Sequence, residues 1–151
     1  MANMCCVDFN IDFESGEKAA EFMKEFSTRI EKATARNEGV TIAENEWLFD
    51  ATLEEGGDTA LTIRGWVKWG MDCDSMVEFS GKLREAGMTS LECFYEECGN
   101  MIYGKYEYHD GELWNSYVDE SHAVWDSAED DDHYERLDNV LETEGVLEMV
   151  A

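Results

Sequence analysis

Carboxylates crowded into the C-terminal third are the side chains whose number and spacing suggest a function. Residues 106–151 hold fifteen acids and one base, a net charge of −14 within a whole-chain charge of −25. Charge of this size repels nucleic acids and anionic membranes and attracts basic surfaces. The sequence therefore predicts a basic partner, no direct binding of nucleic acid and no membrane association.

The acids near the end of the chain fall at helical spacing. A helix is predicted from about Glu129, with an apolar face formed by Tyr134, Leu137, Val140 and Leu141. A second face carries Asp131, Glu135, Asp138 and Glu142, at spacings of four, three and four. Like charges at this spacing destabilise an isolated helix by roughly 0.2–0.5 kcal/mol per pair, so packing or a basic partner must hold it.

The length of this acidic row matches a short stretch of nucleic acid. From Asp131 to Glu142 a helix rises about 16 Å, which is some four to five axial phosphate repeats of one DNA strand. The row can therefore occupy Lys and Arg sites built for phosphate. The alternative interpretation is a solvated face with no partner. Salt adaptation is a further explanation of the charge, but five Cys, eight Met and five Trp are not typical of it.

The cysteines and histidines form no recognisable metal-binding or catalytic set. Cys73, Cys93 and Cys98 are the nearest grouping, yet the sequence has no C-x-x-C pair and no H-x-x-x-H spacing. The acidic run before His133 lacks the glycine and the final Glu of an EF-hand loop. No nucleophile motif, distinct carboxylate pair or phosphate-binding glycine loop is present. We therefore expect no catalytic residue, no metal, no cofactor and no enzymatic activity.

The N-terminal half is predicted to begin with a strand and a helix. Cys5–Phe13 alternates apolar and polar residues, the pattern of a strand with one buried face. Ser15 stands at the N-cap position of an amphipathic helix that runs to about Asn37. Two strands then flank the glycine turn Gly56–Asp58, which predicts a hairpin.

The second half continues the same alternation of elements. Ser75 and Glu78 predict a capping box at the start of a second helix. Three strands follow, in "SLECFYEE", "NMIYGKYEYHD" and "ELWNSYVDE". The resulting order, β-α-β-β-α-β plus extra C-terminal strands, predicts an α+β fold with the split βαβ sheet of ferredoxin-like proteins and a C-terminal acidic helix. We expect residues 1–120 to form this domain and residues 121–151 an acidic helical extension packed on or flanking it.

One predicted strand, "RGWVKW" at Arg64–Trp69, resembles the RNA-binding strand of an RNA recognition motif. Binding RNA through this strand would require basic side chains around it to hold the phosphates. Residues 46–105 instead hold twelve acids and five bases. We therefore interpret Trp66 and Trp69 as core or partner contacts.

The late strands contain a run of aromatic, acidic and glycine residues that has a family parallel. Its positions are Tyr95, Glu96, Glu97, Gly99, Ile102, Tyr103, Gly104 and Gly111. The span Thr62–Leu113, which contains them, resembles the YubB ferredoxin-like family of phage- and plasmid-borne proteins. The start "ANMCCVDFNI" is similar to the family's start through Asn3 and Cys5, and Trp69 matches a family Trp.

The chain departs from the family pattern at Met4, where the family has Trp, at Val7, where it has Asn, and in lacking prolines after Trp69. The resemblance covers about three quarters of the chain and implies a ferredoxin-like fold. It also implies a mobile-element setting, in which inhibitors of host defence are common. It carries over no catalytic residue.

The cellular location is predicted from the cysteines and from the first residues. No charged region followed by an apolar region marks a signal peptide, and no apolar run reaches the roughly 18–20 residues of a membrane span. The sequence therefore predicts a cytoplasmic protein whose cysteines are reduced and have no assigned role. These thiols are Cys5, Cys6, Cys73, Cys93 and Cys98.

Together these patterns predict a phage or mobile-element inhibitor of a host CRISPR or restriction complex, acting by nucleic-acid mimicry on a basic surface. The residues predicted to contact the partner are Glu96, Glu97, Glu107, Asp110, Glu112, Trp114, Tyr117, Trp125, Asp130, Asp131, Asp132, Glu135, Asp138 and Glu142. The alternative is an acidic scaffold that binds a basic protein without competing with nucleic acid. A small enzyme using Cys or carboxylates is a third class, and it would require a concave pocket with a perturbed titratable group.

Overall fold

A computed structural model describes residues 4–97, 102–118 and 133–151, without the side chains of Ile102, residues 133–137 and Glu144. The described elements are β1 (Met4–Phe13), α1 (Gly16–Ala35), β2 (Val40–Ala43), β3 (Glu46–Glu55), β4 (Ala60–Lys68), α2 (Cys73–Glu85), β5 (Met88–Glu97), β6 (Ile102–His109), β7 (Glu112–Val118), α3 (His133–Glu144) and β8 (Val146–Met149). The predicted α+β class is confirmed.

The eight strands form one open antiparallel sheet in the order β2-β3-β4-β1-β5-β6-β7-β8. The alternating strand β1 lies at the centre, where Val7 is opposite Gly65 of β4 and Tyr95 of β5. Helices α1 and α2 cover one face, since Phe26 and Phe79 share a buried cluster with the odd-numbered residues of β1. We call α1 and α2 the helical layer.

Helix α1 begins as the sequence predicts. Ser15 is the N-cap in extended conformation, and its hydroxyl accepts a hydrogen bond from the Lys18 amide at 3.1 Å. Phe22 packs against both Phe13 and Phe26, with ring centroids 5.4 and 5.3 Å away. The cap fixes where the helix starts, and these aromatic contacts fix the face that it turns to the sheet.

We expect Ser15→Ala to lower the free energy of unfolding by about 1 kcal/mol, because the Lys18 amide loses its capping acceptor. Urea denaturation followed by circular dichroism measures the change. Thr28→Ala is the matched control in the same helix, because the Thr28 hydroxyl only donates to the Lys24 carbonyl. Since Ala has a higher helix propensity than Thr, the control should be neutral or stabilising.

The predicted capping box of α2 is wrong by three residues. The N-cap is Asp72, whose carboxylate accepts hydrogen bonds from the Ser75 amide at 2.8 Å and from the Ser75 hydroxyl at 3.1 Å. Ser75 is buried inside the first turn. Glu78 instead accepts from the Glu44 amide at 2.7 Å and pairs with Lys82. Asp is as strong an N-cap as Ser, so spacing alone did not separate the two.

The two edge strands, β2 and β8, were not predicted. Each has only four residues, too few for a visible alternation. After β8, the Val150 amide donates to the Leu113 carbonyl at 2.7 Å, and the Leu113 amide donates to the carbonyl of Ala151 at 2.9 Å. Residues 133–151 therefore form a helix and the edge strand β8, which extends the same sheet.

Helix α3 packs on the sheet face opposite to the helical layer. Leu141 forms a small buried cluster with Tyr103 of β6 and Val118 of β7, and Val140 packs against it. The chain then turns at Gly145, where an added Cβ would lie 2.5 Å from the Leu141 carbonyl oxygen. Glycine is therefore required for the passage from α3 into β8.

Candidate functional site

The face of the sheet that α1 and α2 leave uncovered is called the open face here. Odd-numbered residues of β1 are buried against the helical layer, so its even-numbered residues point to the open face. The strand register carries this alternation across the sheet: Asn10 is opposite Thr62 and Glu92, and Glu92 is opposite Glu107. Helix α3 covers this face over β6 and β7.

Helices α1 and α2 differ in charge from the rest of the chain. Helices α1 and α2 together hold seven acids and six bases, a net charge of −1. The remainder of the chain therefore carries −24 of the total −25. The helical layer is nearly neutral, and the excess negative charge belongs to the strands, loops and C-terminal residues.

Acids form a row across the open face, at right angles to the strands. Glu54, Glu92 and Glu107 lie in register on β3, β5 and β6. Glu54 and Glu92 are exposed and Glu107 is half-buried. Adjacent strands are about 4.8 Å apart, so the row extends roughly 19 Å from β3 to β6. It is comparable in length to the helical row that the sequence predicts.

A buried lysine joins α3 to this row. The ammonium group of Lys105, on β6, pairs with both Glu107 and Asp138, and it lies 5.6 Å from the centre of the Phe94 ring. Burial alone would lower the pKa of Lys105, but its hydrogen bonds to Asp138 and Glu107 outweigh burial, so the pKa is raised. Asp138 is therefore partly neutralised within the chain.

Four predicted partner-binding residues come together beside this lysine. They line a groove of about 310 Å³ between α3 and the strands, and they are Glu107, Trp114, Asp138 and Glu142. Close by, the exposed Glu112 accepts a hydrogen bond from the Trp114 indole at 3.0 Å. Asp110 is exposed in the β6–β7 turn.

The structure does not bring the other predicted residues to this groove. Glu96 and Glu97 are buried at the end of β5, and Glu97 points to the side of the helical layer. Tyr117 also points to that side, and the adjacent Glu148 raises its pKa. Outside the described residues lie Trp125, Asp130, Asp131, Asp132 and the side chain of Glu135.

In the strand that resembles an RNA-binding motif, Arg64 and Trp66 both make contacts within the chain. Arg64 donates to Asp8 at 2.8 Å and lies 3.7 Å from Glu54. Trp66 stacks on Phe49, with centroids 4.5 Å apart, and its indole donates to Asp50 at 2.9 Å. These contacts support the structural interpretation of Trp66.

A cavity at one end of the strands was not predicted from the sequence. It has a volume of about 620 Å³ and lies where β3 begins, where β4 and β5 end, and where α2 begins. Its lining includes the aromatic residues Trp47, Trp69 and Tyr95 and the acids Glu46 and Glu97. These residues are far apart in sequence, so no local motif marked the cavity. In the sequence, the tryptophans Trp47 and Trp69 were the one feature that could have suggested this cavity.

Glu46 is a perturbed carboxyl group within this cavity. Burial, reinforced by the negative charge of Asp72, raises the pKa of Glu46 to about 7, against an opposing hydrogen bond from Ser75. A cavity with a perturbed carboxyl is what the enzyme alternative requires. Asp72 and Glu97 also line the cavity, so the enzyme alternative stays a prediction.

Comparisons with family models, curated proteins and solved structures found no match. The similarity to the YubB family therefore stays a prediction.

Within residues 4–97, 102–118 and 133–151, no three His, Cys, Asp or Glu side chains are grouped to hold a metal ion. Across those same ranges, none of the helices has the length and apolar character needed to cross a bilayer.

Proposed function

We propose that this protein is a non-enzymatic inhibitor carried by a phage or another mobile element, and that it binds the basic nucleic-acid-binding surface of a host CRISPR or restriction complex. It acts in the host cytoplasm by occupying the site meant for DNA or guide RNA. The distribution of charge carries the proposal, because the two helices are nearly neutral while the exposed acids Glu54, Glu92 and Glu142 lie on the open face and on α3.

The fold assigned with this proposal is a ferredoxin-like sheet with an acidic C-terminal helix, in the YubB family. The order β3-β4-β1-β5 supports it, with α1 between β1 and β2 and α2 between β4 and β5. In a split βαβ arrangement, the first strand of the motif lies between its last two strands and pairs with both. Here β1 lies between β4 and β5 in this way.

Electrostatic attraction explains how such an inhibitor finds its target. Opposite potentials accelerate association and select against partners of the wrong charge. The exposed acids of the open face and α3 supply the field, and Trp114, in the groove with Glu142, offers an aromatic anchor that charge alone does not give. Binding should weaken as salt screens these charges.

We expect the fourfold variant Glu54→Gln, Glu92→Gln, Glu112→Gln and Glu142→Gln to bind its partner at least about tenfold more weakly than the wild type. All four acids are exposed on the side that faces away from the helical layer. The partner is first captured from bacterial host lysate and identified by mass spectrometry. Capture is then repeated with excess duplex DNA or guide-type RNA, and affinities are measured on the purified partner.

The matched control changes the same number of charges on the helical layer. Glu21→Gln, Glu25→Gln, Glu31→Gln and Glu85→Gln removes four exposed acids from α1 and α2 and should leave affinity nearly unchanged. Equal losses in both variants would contradict a specific acidic side. A captured partner that nucleic acid does not displace would favour the scaffold alternative over mimicry.

A further inference from the structure

The cavity beside Trp69 has exposed aromatic walls. Trp47 is 44% exposed and Trp69 is 59% exposed, although both are large apolar side chains. The volume of about 620 Å³ falls within the range of small-molecule pockets. Two exposed indoles at one concave site offer flat surfaces on which a ligand can stack.

The backbone at Trp69 is strained. Its φ of 71° lies in the left-handed region, where a bulky side chain costs of the order of 1–3 kcal/mol. Burial of the indole does not account for this conformation, because most of the side chain is exposed. Strain of this kind concentrates at binding sites, where it holds a side chain in a fixed direction.

The charges around the cavity select a cation. Glu97, which is only 7% exposed, and Asp72 contribute carboxylates to the lining, whereas Glu46, with a pKa of about 7, carries only part of a charge at neutral pH. Lys68 is the basic residue of the lining, and its ammonium group lies 5.3 Å from the centre of the Phe49 ring. The wall therefore already holds one cation of this chain on an aromatic face, and the carboxylates outnumber it.

We propose that the cavity binds an arginine side chain presented by the partner protein, with its guanidinium group stacked on an indole and hydrogen-bonded to Glu97. The identity of the ligand's source rests on the proposed function, but the cation chemistry does not. A guanidinium group is planar, weakly hydrated and able to stack on aromatic rings, whereas an ammonium group is a compact, strongly hydrated charge. A hydrogen bond from a guanidinium group to a carboxylate is charge-assisted, and a carboxylate that already has a partner keeps further acceptor sites.

The test is a nuclear magnetic resonance titration of the full chain with N-acetyl-arginine amide. The indole N–H signals of Trp47 and Trp69, assigned with Trp47→Phe and Trp69→Phe, should shift and saturate. The indole signal of Trp114, which lies in another groove and donates to Glu112, reports whether each variant is folded. N-acetyl-citrulline amide, which has a similar shape but no charge, should bind at least about tenfold more weakly.

Two variants and a second cation complete the experiment. Trp69→Ala, at an exposed position, and Glu97→Gln, which keeps the shape, should each weaken the arginine probe about tenfold or more while the Trp114 signal is retained. N-acetyl-lysine amide should bind more weakly than the arginine probe. Equal binding of the citrulline probe, equal binding of the lysine probe, or no saturable shift at Trp47 and Trp69 would each overturn the proposal. The probe contains no partner protein, so its failure is distinguishable from failure of the charge-based function.

Discussion

Lys105→Met is expected to lower the free energy of unfolding by about 1–3 kcal/mol, because two partly exposed carboxylates lose the charged group that they share. Lys105 is 5% exposed and pairs with Glu107 and Asp138. Without its ammonium group, two carboxylates face each other between β6 and α3, with Glu92 on the neighbouring strand. Methionine keeps most of the aliphatic volume, so the loss is mainly electrostatic.

Urea denaturation measures this change, and amide hydrogen exchange shows where it acts. Exchange should accelerate first in α3 and β8, because Lys105 links α3 to the sheet. Adding Glu107→Gln and Asp138→Asn to Lys105→Met should restore most of the lost stability, because no carboxylate is then left without its counter-ion. If the triple variant were as unstable as the single one, packing and not charge would be the cause.

A second lysine variant serves as the control for Lys105→Met. Lys82 pairs with Glu78 at 3.1 Å on the exposed side of α2. Surface pairs contribute little, because water solvates both charges in either state. Lys82→Met should therefore leave the unfolding curve almost unchanged.

The second large effect is a pH dependence caused by Glu46. Its pKa is about 7 in the folded chain against an ordinary value of 4.5. Above pH 4.5 the unfolded chain loses this proton while the folded chain keeps it, so Glu46 disfavours folding increasingly up to pH 7 and by a constant amount above. This direction is opposite to that of an ion-paired carboxylate.

We therefore expect Glu46→Gln to gain stability over the wild type as pH rises from 5 to 8, by on the order of 2–3 kcal/mol. The measurement is a series of urea denaturation curves across that pH range. Glu44→Gln, at an exposed position in the same turn, is the control and should run parallel to the wild type. Parallel curves for Glu46→Gln as well would contradict the raised pKa.

The sequence predicted the elements that have strong local periodicity. The strict alternation of Cys5–Phe13 predicts β1, and apolar spacing after Ser15 predicts α1. The short edge strands β2 and β8 escaped prediction because four residues give no period. The N-cap of α2 was misplaced because Asp and Ser are equally favoured N-cap residues, and both occur here, at Asp72 and Ser75.

Residues of the groove were predicted where their spacing within one helix or strand is visible in the sequence. Asp138 and Glu142 come from the helical row that the sequence suggests, and both line the groove. The counter-ion Lys105 is 33 residues from Asp138 and belongs to another element, so no local spacing reveals the pair. The cavity around Glu46 has the same character, because its walls come from elements that only the folded sheet brings together.

The near-neutral helical layer has a practical consequence for handling the protein on surfaces. Four of the six lysines lie on this layer, and they are Lys18, Lys24, Lys32 and Lys82. Reagents that couple to amines will therefore attach mainly through the helices and leave the acidic side turned outward. A sensor chip or resin made this way presents every molecule in nearly one orientation, with the groove and the open face free for a basic partner.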